Sequence, residues 1–342
     1  MLTDVRTPLE PRVPAGSLEE LLAGATSREP LGGTDGKSGT VLERVVIDGE
    51  RLVVKHLHPD DDWTMRGFGD LGCRPVTVWT SGILDAVPAS IDHAVVGAAT
   101  GLGRNGWGAA LLLRDVGAHL IPEGDEPVSL ADHRQLLDHM AELAAAFWTP
   151  AEDDLPSLLS IESRYSAFGP GWIEAESARG FPDAVPEIAQ RGWVQFDERA
   201  PRDVLELITA LRRDLDPLVV ALRQTPLAFL HGDWKMGNLG VDGDRTVLLD
   251  WTYPGVGPVT HDLGWYLALN RARLPESKED AIDGFRRSLE GHGVATEGWW
   301  EQQLDLGLLG TLVQFGWEKA LGDDEELQWW CERARTGARW LA

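Results

Sequence analysis

Apolar and polar positions alternate with a short period in the first third of the chain and recur at helical spacing in the rest. That change predicts a β-rich segment followed by a helical one. Two β-rich runs, Thr40 to Ile47 and Arg51 to Leu57, meet at Asp48-Gly49, a strong hairpin signal. A third apolar run, Ala109 to Leu113, ends at Arg114-Asp115-Val116-Gly117. Beyond it Ser129 with Asp132 forms an N-cap pattern, and Leu136, Met140, Leu143 and Phe147 follow at helical spacing. A second helix is predicted from Asp203 to Arg223, with Leu207, Leu211, Leu215, Leu218 and Leu222 on one face. Trp300, Leu304, Leu308 and Leu312 mark another near the C-terminus. Between these helical regions, LGVDGDRTVLLDW reads as a hairpin turning at Asp242-Gly243 or Gly243-Asp244.

The pattern therefore predicts an α+β protein of two lobes: a small β-rich lobe over residues 1–115, a larger mainly α-helical lobe over 116–342, and a cleft between them. A length of 342 residues agrees, because it exceeds what one core usually supports. No internal repeat points to a solenoid.

Composition narrows the function. With 43% hydrophobic and 25% charged residues, the chain reads as an ordinary globular protein, and no apolar run approaches the roughly 18 residues of a membrane span. A cytoplasmic location is the expectation. Cys73 and Cys331 stand far apart in no metal-binding or disulfide pattern. A net charge of -24 argues against nucleic acid and anionic membrane as partners. It would suit a cationic small molecule, although a charged surface that aids solubility is the simpler and preferred reading. Nothing in the sequence sets the oligomeric state.

The stretch HGDWKMGN, residues 231–238, carries the chemistry. Asp233 suits a carboxylate that orients a hydroxyl and accepts its proton, as phosphoryl transfer requires. Asn238, and Asp250 at the end of the following apolar strand, offer the hard oxygen donors that Mg²⁺ prefers. Lys235 is placed to balance charge on a transferring phosphoryl group; a solvated surface lysine is the other reading, though the chain has only five lysines. Asn105, Asn238 and Asn270 are its only asparagines, so an asparagine at this spacing is informative.

H-G-D-x-x-x-x-N followed by an apolar strand ending in Asp-Trp resembles the catalytic and metal-binding loops of the aminoglycoside phosphotransferase and choline kinase superfamily, small-molecule relatives of protein kinases. The resemblance implies a two-lobed protein-kinase-like fold, ATP and Mg²⁺ as cofactors, Asp233 as catalytic base, Asn238 and Asp250 as metal ligands, and His231 as a brace for the loop. It also implies that Asp262, in Thr260-His261-Asp262-Leu263, caps the backbone of that loop. Lys55, ending RLVVK, looks like the strand lysine that meets the α and β phosphates; a strand-end lysine reaching water is the plain alternative. GTDGKSG, residues 33–39, lies where a nucleotide-covering loop belongs, with Gly36, Ser38 and Gly39 as donors to phosphate. LLLRDVG resembles the hinge, where the Arg114 carbonyl and Val116 amide would meet adenine.

One feature departs from the family. No glutamate follows Lys55 in DDDWTMRGFGDLGCRPVTVWTSGILDAVP, which leaves Asp70 or one of Asp60 to Asp62 as its brace. For the acceptor, Trp317 and Glu318 in QFGWEKALG offer an aromatic face and a carboxylate for an ammonium group, against helix packing of the tryptophans. The expected activity is ATP- and Mg²⁺-dependent phosphorylation of a hydroxyl on a small polar molecule: an aminoglycoside-like antibiotic, an amino sugar or sugar, or an amino alcohol. The rival from another class is a kinase-like nucleotide-binding regulator with impaired catalysis, favoured by the missing glutamate.

Overall fold

The computed structural model describes residues 9–32, 39–149 and 158–341. In chain order its strands are β1 (Ala25–Pro30), β2 (Leu42–Ile47), β3 (Glu50–Leu57), β4 (Ile91–Asp92), β5 (Val95–Leu102), β6 (Gly108–Arg114), β7 (Ala228–Leu230), β8 (Leu239–Asp242), β9 (Arg245–Leu248) and β10 (Gly255–Gly257). The chain divides into two compact units, Met1–Pro122 with Gly237–Thr252, and Glu123–Met236 with Tyr253–Ala342. Residues 237–252, which the sequence pattern places with the helical lobe, thus pack with the first unit.

In the first unit an antiparallel sheet runs β1-β2-β3-β6-β5. The β2–β3 turn is the expected two-residue loop: Ile47 pairs with Glu50, and Asp48 and Gly49 take φ of 52° and 85°. Strict alternation then sorts β3. Leu52 and Val54 enter a core with Val45, Ala110 and Leu112, while Lys55 points to the opposite face. A second sheet, β4-β9-β8, follows. Asp242 pairs with Arg245, so the β8–β9 turn is Gly243-Asp244, with Gly243 at φ 62°. Between Gly240 and Leu120 a bridge adds to the hydrogen bond from the Ile121 N–H to the Leu239 carbonyl, tying this hairpin to the chain after β6.

Helices dominate the second unit. Ser129 caps Leu130–Ala146, its hydroxyl accepting the Asp132 N–H at 3.0 Å. The single helix expected over 203–223 is instead two, Arg202–Arg213 and Asp216–Leu222. Asp214 is extended, and Pro217 lies in the first turn of the second helix, where a ring without an N–H is tolerated but could not continue the first. Trp300–Leu321 is buried on nearly all sides because other helices surround it. Strands β7 and β10 pair antiparallel on either side of the segment that carries HGD.

Candidate active site

In the second unit, β7 is fully buried and delivers His231, Gly232 and Asp233 from its end. Gly232 adopts φ 85°, and a side chain there would collide with the Tyr253 carbonyl and the Arg164 guanidinium. Only glycine makes this turn without strain. Asp233 is 1% exposed. Its N–H donates to His231 Nδ1 at 3.2 Å, which assigns the ring proton to Nε2. Lys235 Nζ lies 2.9 Å from Asp233 Oδ2, with its own side chain 39% exposed. The loop therefore presents a carboxylate from a buried stem with an accessible cation beside it.

Two side chains hold this loop from below. Asp262, in the first turn of the helix Thr260–Leu269, accepts the Gly232 N–H at 3.0 and 3.3 Å. Burial pushes its carboxyl up to about 6, opposed by the Arg164 charge and the loop N–H groups and aided by Asp233. Asn270, just past that helix, accepts the Met236 N–H at 2.8 Å and donates to the carbonyls of Tyr266 and Trp234. Its scarcity in the sequence was the only signal, and no spacing rule pointed to its role.

In the first unit, Lys55 Nζ meets Asp250 Oδ1 at 2.7 Å, with the two side chains 14% and 27% exposed. Asp250 is left-handed at φ 64°, its carbonyl accepting the Thr252 N–H at 2.8 Å and its carboxylate the Thr252 hydroxyl. Because Leu239 pairs with Leu248, Asn238 and Leu249 are opposite each other one step beyond the ladder, and the Asn238 carbonyl accepts the Leu249 N–H at 2.9 Å. Asn238 and Asp250 thus leave the hairpin at the same end. An amide oxygen and a carboxylate so placed fit the oxygen donors that Mg²⁺ prefers, and the lysine beside them fits the cation that phosphate requires.

The carboxylate ion-paired with Lys55 is Asp250, while the acids after β3 also make local hydrogen bonds. Asp62 caps the short helix Trp63–Gly67, accepting from Thr64 and Met65. Burial raises its carboxyl, with the Lys55 charge acting in the opposite sense. Asp70 accepts the Arg74 N–H at 2.9 and 3.0 Å. A cavity of about 660 Å³ in this unit is lined by His56, His58, Asp60 and Arg104 among others; none of Lys55, Asn238 and Asp250 lines it.

Of the remaining predicted residues, Gly36 and Ser38 lie outside the described residues, and Gly39 is exposed at φ 80°. Arg114 pairs its side chain with Asp92 and gives its N–H to the Ala94 carbonyl. Val116 is buried, and its carbonyl accepts the His119 N–H at 2.9 Å. Trp317 is 7% exposed with its ring 5.2 Å from Phe168, a packing position. Glu318 pairs with the buried Lys319 at 2.6 Å. Among the described residues no cluster of three or more His, Cys, Asp or Glu could hold a metal. No helix among them is long and apolar enough to cross a membrane.

A family model described as the phosphotransferase enzyme family (APH) matches residues 62–297. Among solved structures the chain is similar to a microcompartment-associated aminopropanol kinase, with 15% identity and a TM-score of 0.50 over 92% of this chain and 90% of that one. It is also similar to choline kinase LicA from Streptococcus pneumoniae, with 12% identity and a TM-score of 0.51 over 94% and 95%. At such identities the likeness establishes the fold, a two-lobed kinase-like arrangement of a β-rich and a helical part. No curated protein matches the chain.

Proposed function

The chain belongs to the phosphotransferase enzyme family, and on that premise we propose that it moves the γ-phosphoryl group of ATP to a hydroxyl of a small polar molecule. The observation that carries this reading is the pairing of each candidate carboxylate with a lysine, Asp233 with Lys235 and Asp250 with Lys55. Asp233 accepts the proton of the acceptor hydroxyl as its oxygen bonds to the γ-phosphorus. The bond to the bridging oxygen breaks, and ADP leaves with that electron pair. Lys235 offsets the charge that gathers on the transferring group. Asn238 and Asp250 would hold Mg²⁺, which neutralises phosphate charge when bound. Lys55 would meet the nucleotide phosphates, and the Arg114 carbonyl and Val116 amide would meet adenine. His231 and Asp262 keep the loop in place.

Aminoglycoside-like antibiotics, amino sugars, sugars and amino alcohols are the acceptor classes this reading admits. The two similar structures are named for kinases of aminopropanol and choline, and a net charge of -24 is compatible with a cationic acceptor. The missing glutamate argues for a regulator without catalysis, but Lys55 has a carboxylate partner in Asp250, which weakens that argument. An ADP-release assay with MgATP against a panel of these acceptors tests the reading. Turnover that depends on one acceptor class supports it and names the class. A protein that binds no nucleotide overturns it.

A further inference from the structure

Arg164 is a second-unit side chain that the proposed reaction does not use, yet it sits under the catalytic loop. It belongs to the short helix Ile161–Tyr165, whose start is capped by Ser160 and tied by the Leu159 N–H to the Pro254 carbonyl at 3.0 Å. Gln314 of the central helix donates to the Arg164 carbonyl at 3.1 Å. The residue is 1% exposed. Its guanidinium lies against the α-carbon of Gly232, at the spot a β-carbon would occupy, and a β-carbon built on Gly257 would be 3.5 Å from Nε.

We infer that Arg164 is a positioning residue for Asp233: its guanidinium fills the space left open by Gly232 and places a positive charge beside the glycine whose N–H the Asp262 carboxylate holds. This rests on the reading of Asp233 as base, but its geometry does not. A buried cation is costly unless a buried anion offsets it. Asp262, 2% exposed, is a carboxylate whose charged form Arg164 favours. The groups that bear on Asp262 are few. Arg164 and the Gly232 and His231 N–H groups favour its ionised form, and Asp233 opposes it. The neighbouring His261 is held well below its ordinary range by burial and by Arg164, so it adds no positive charge near neutral pH. Without Arg164, Asp262 would take up a proton at higher pH, and a protonated carboxyl grips the loop N–H groups less well. An opposite charge at close range is worth roughly one pH unit or more.

Hydrogen exchange of the segment 228–238, referenced to the helix Leu130–Ala146 and followed across the pH range, tests this without depending on turnover. In the intact protein the segment should lose protection, beyond the intrinsic pH effect, as the pH falls through about 6. Arg164→Met should move that midpoint upward by about one unit or more with the reference helix unchanged, whereas Arg164→Lys should hold it near the original value. Should Arg164→Met not fold, Arg164→Gln takes its place with the same expected upward shift, and Asp262→Asn must loosen the segment and abolish the midpoint. An unmoved midpoint in Arg164→Met, an equal shift in Arg164→Lys, or an intact midpoint in Asp262→Asn overturns the inference. Loss of acceptor turnover in the unaltered protein would count against the kinase reading alone.

Discussion

On the proposed reading Asp233 is the base, and a base acts on the acceptor and not on the nucleotide. Asp233→Asn should lower turnover by about 100-fold or more while MgATP affinity stays close to the original, checked by steady-state kinetics and titration calorimetry. Asp250→Asn should instead weaken Mg²⁺-dependent nucleotide binding, because it removes a metal donor and the partner of Lys55. Asp262 adds a pH signature. Its carboxyl is raised to about 6, so the stability it contributes is present below the ordinary carboxylate range and is lost as the pH rises through about 6. Activity should move oppositely, rising through the same window as the ionised form takes the loop N–H groups. Comparing melting temperature and turnover against pH for the native protein and Asp262→Asn separates the two. At this scale the sequence was legible where spacing itself encodes proximity: Asp233 and Lys235 sit two positions apart and meet. It was silent on the pairing of Lys55 with Asp250, 195 positions away, and on Arg164, which no local pattern joins to Gly232.

Elements were legible wherever one face is buried and the other wet. The β2–β3 and β8–β9 hairpins and the helix after Ser129 follow from alternation, turn glycines and a cap. The helix over 203–223 fails because leucines at helical spacing continue across a point where Pro217 forbids a continuous backbone. Strand β5, VVGAATGL, escaped notice because small residues give no strong period. Two substitutions test how these elements are fixed. Ser129→Ala should cost about 1 kcal/mol, read from the denaturant midpoint. Gly192→Ala should cost about 1–3 kcal/mol by overpacking, because a β-carbon there would strike the Trp317 carbonyl and press the helix Ala184–Arg199 off its neighbour.

At the scale of the whole molecule, the boundary between the two units falls inside HGDWKMGN, between Met236 and Gly237. Asp233 and Lys235 therefore belong to one unit, and Asn238, Asp250 and Lys55 to the other. On the proposed reading, acceptor chemistry falls to the first of these sets and nucleotide and metal to the second. The large negative charge adds an expectation of its own. For a cationic acceptor the apparent KM should rise with ionic strength, and for a neutral one it should not. The most direct test of the account is transfer of a labelled γ-phosphoryl group from MgATP to an acceptor by the native protein and by Asp233→Asn, with nucleotide binding measured on both. The account predicts label on the acceptor's hydroxyl oxygen with the native protein, almost none with Asp233→Asn, and equal MgATP binding by the two. Equal transfer by both proteins would contradict it.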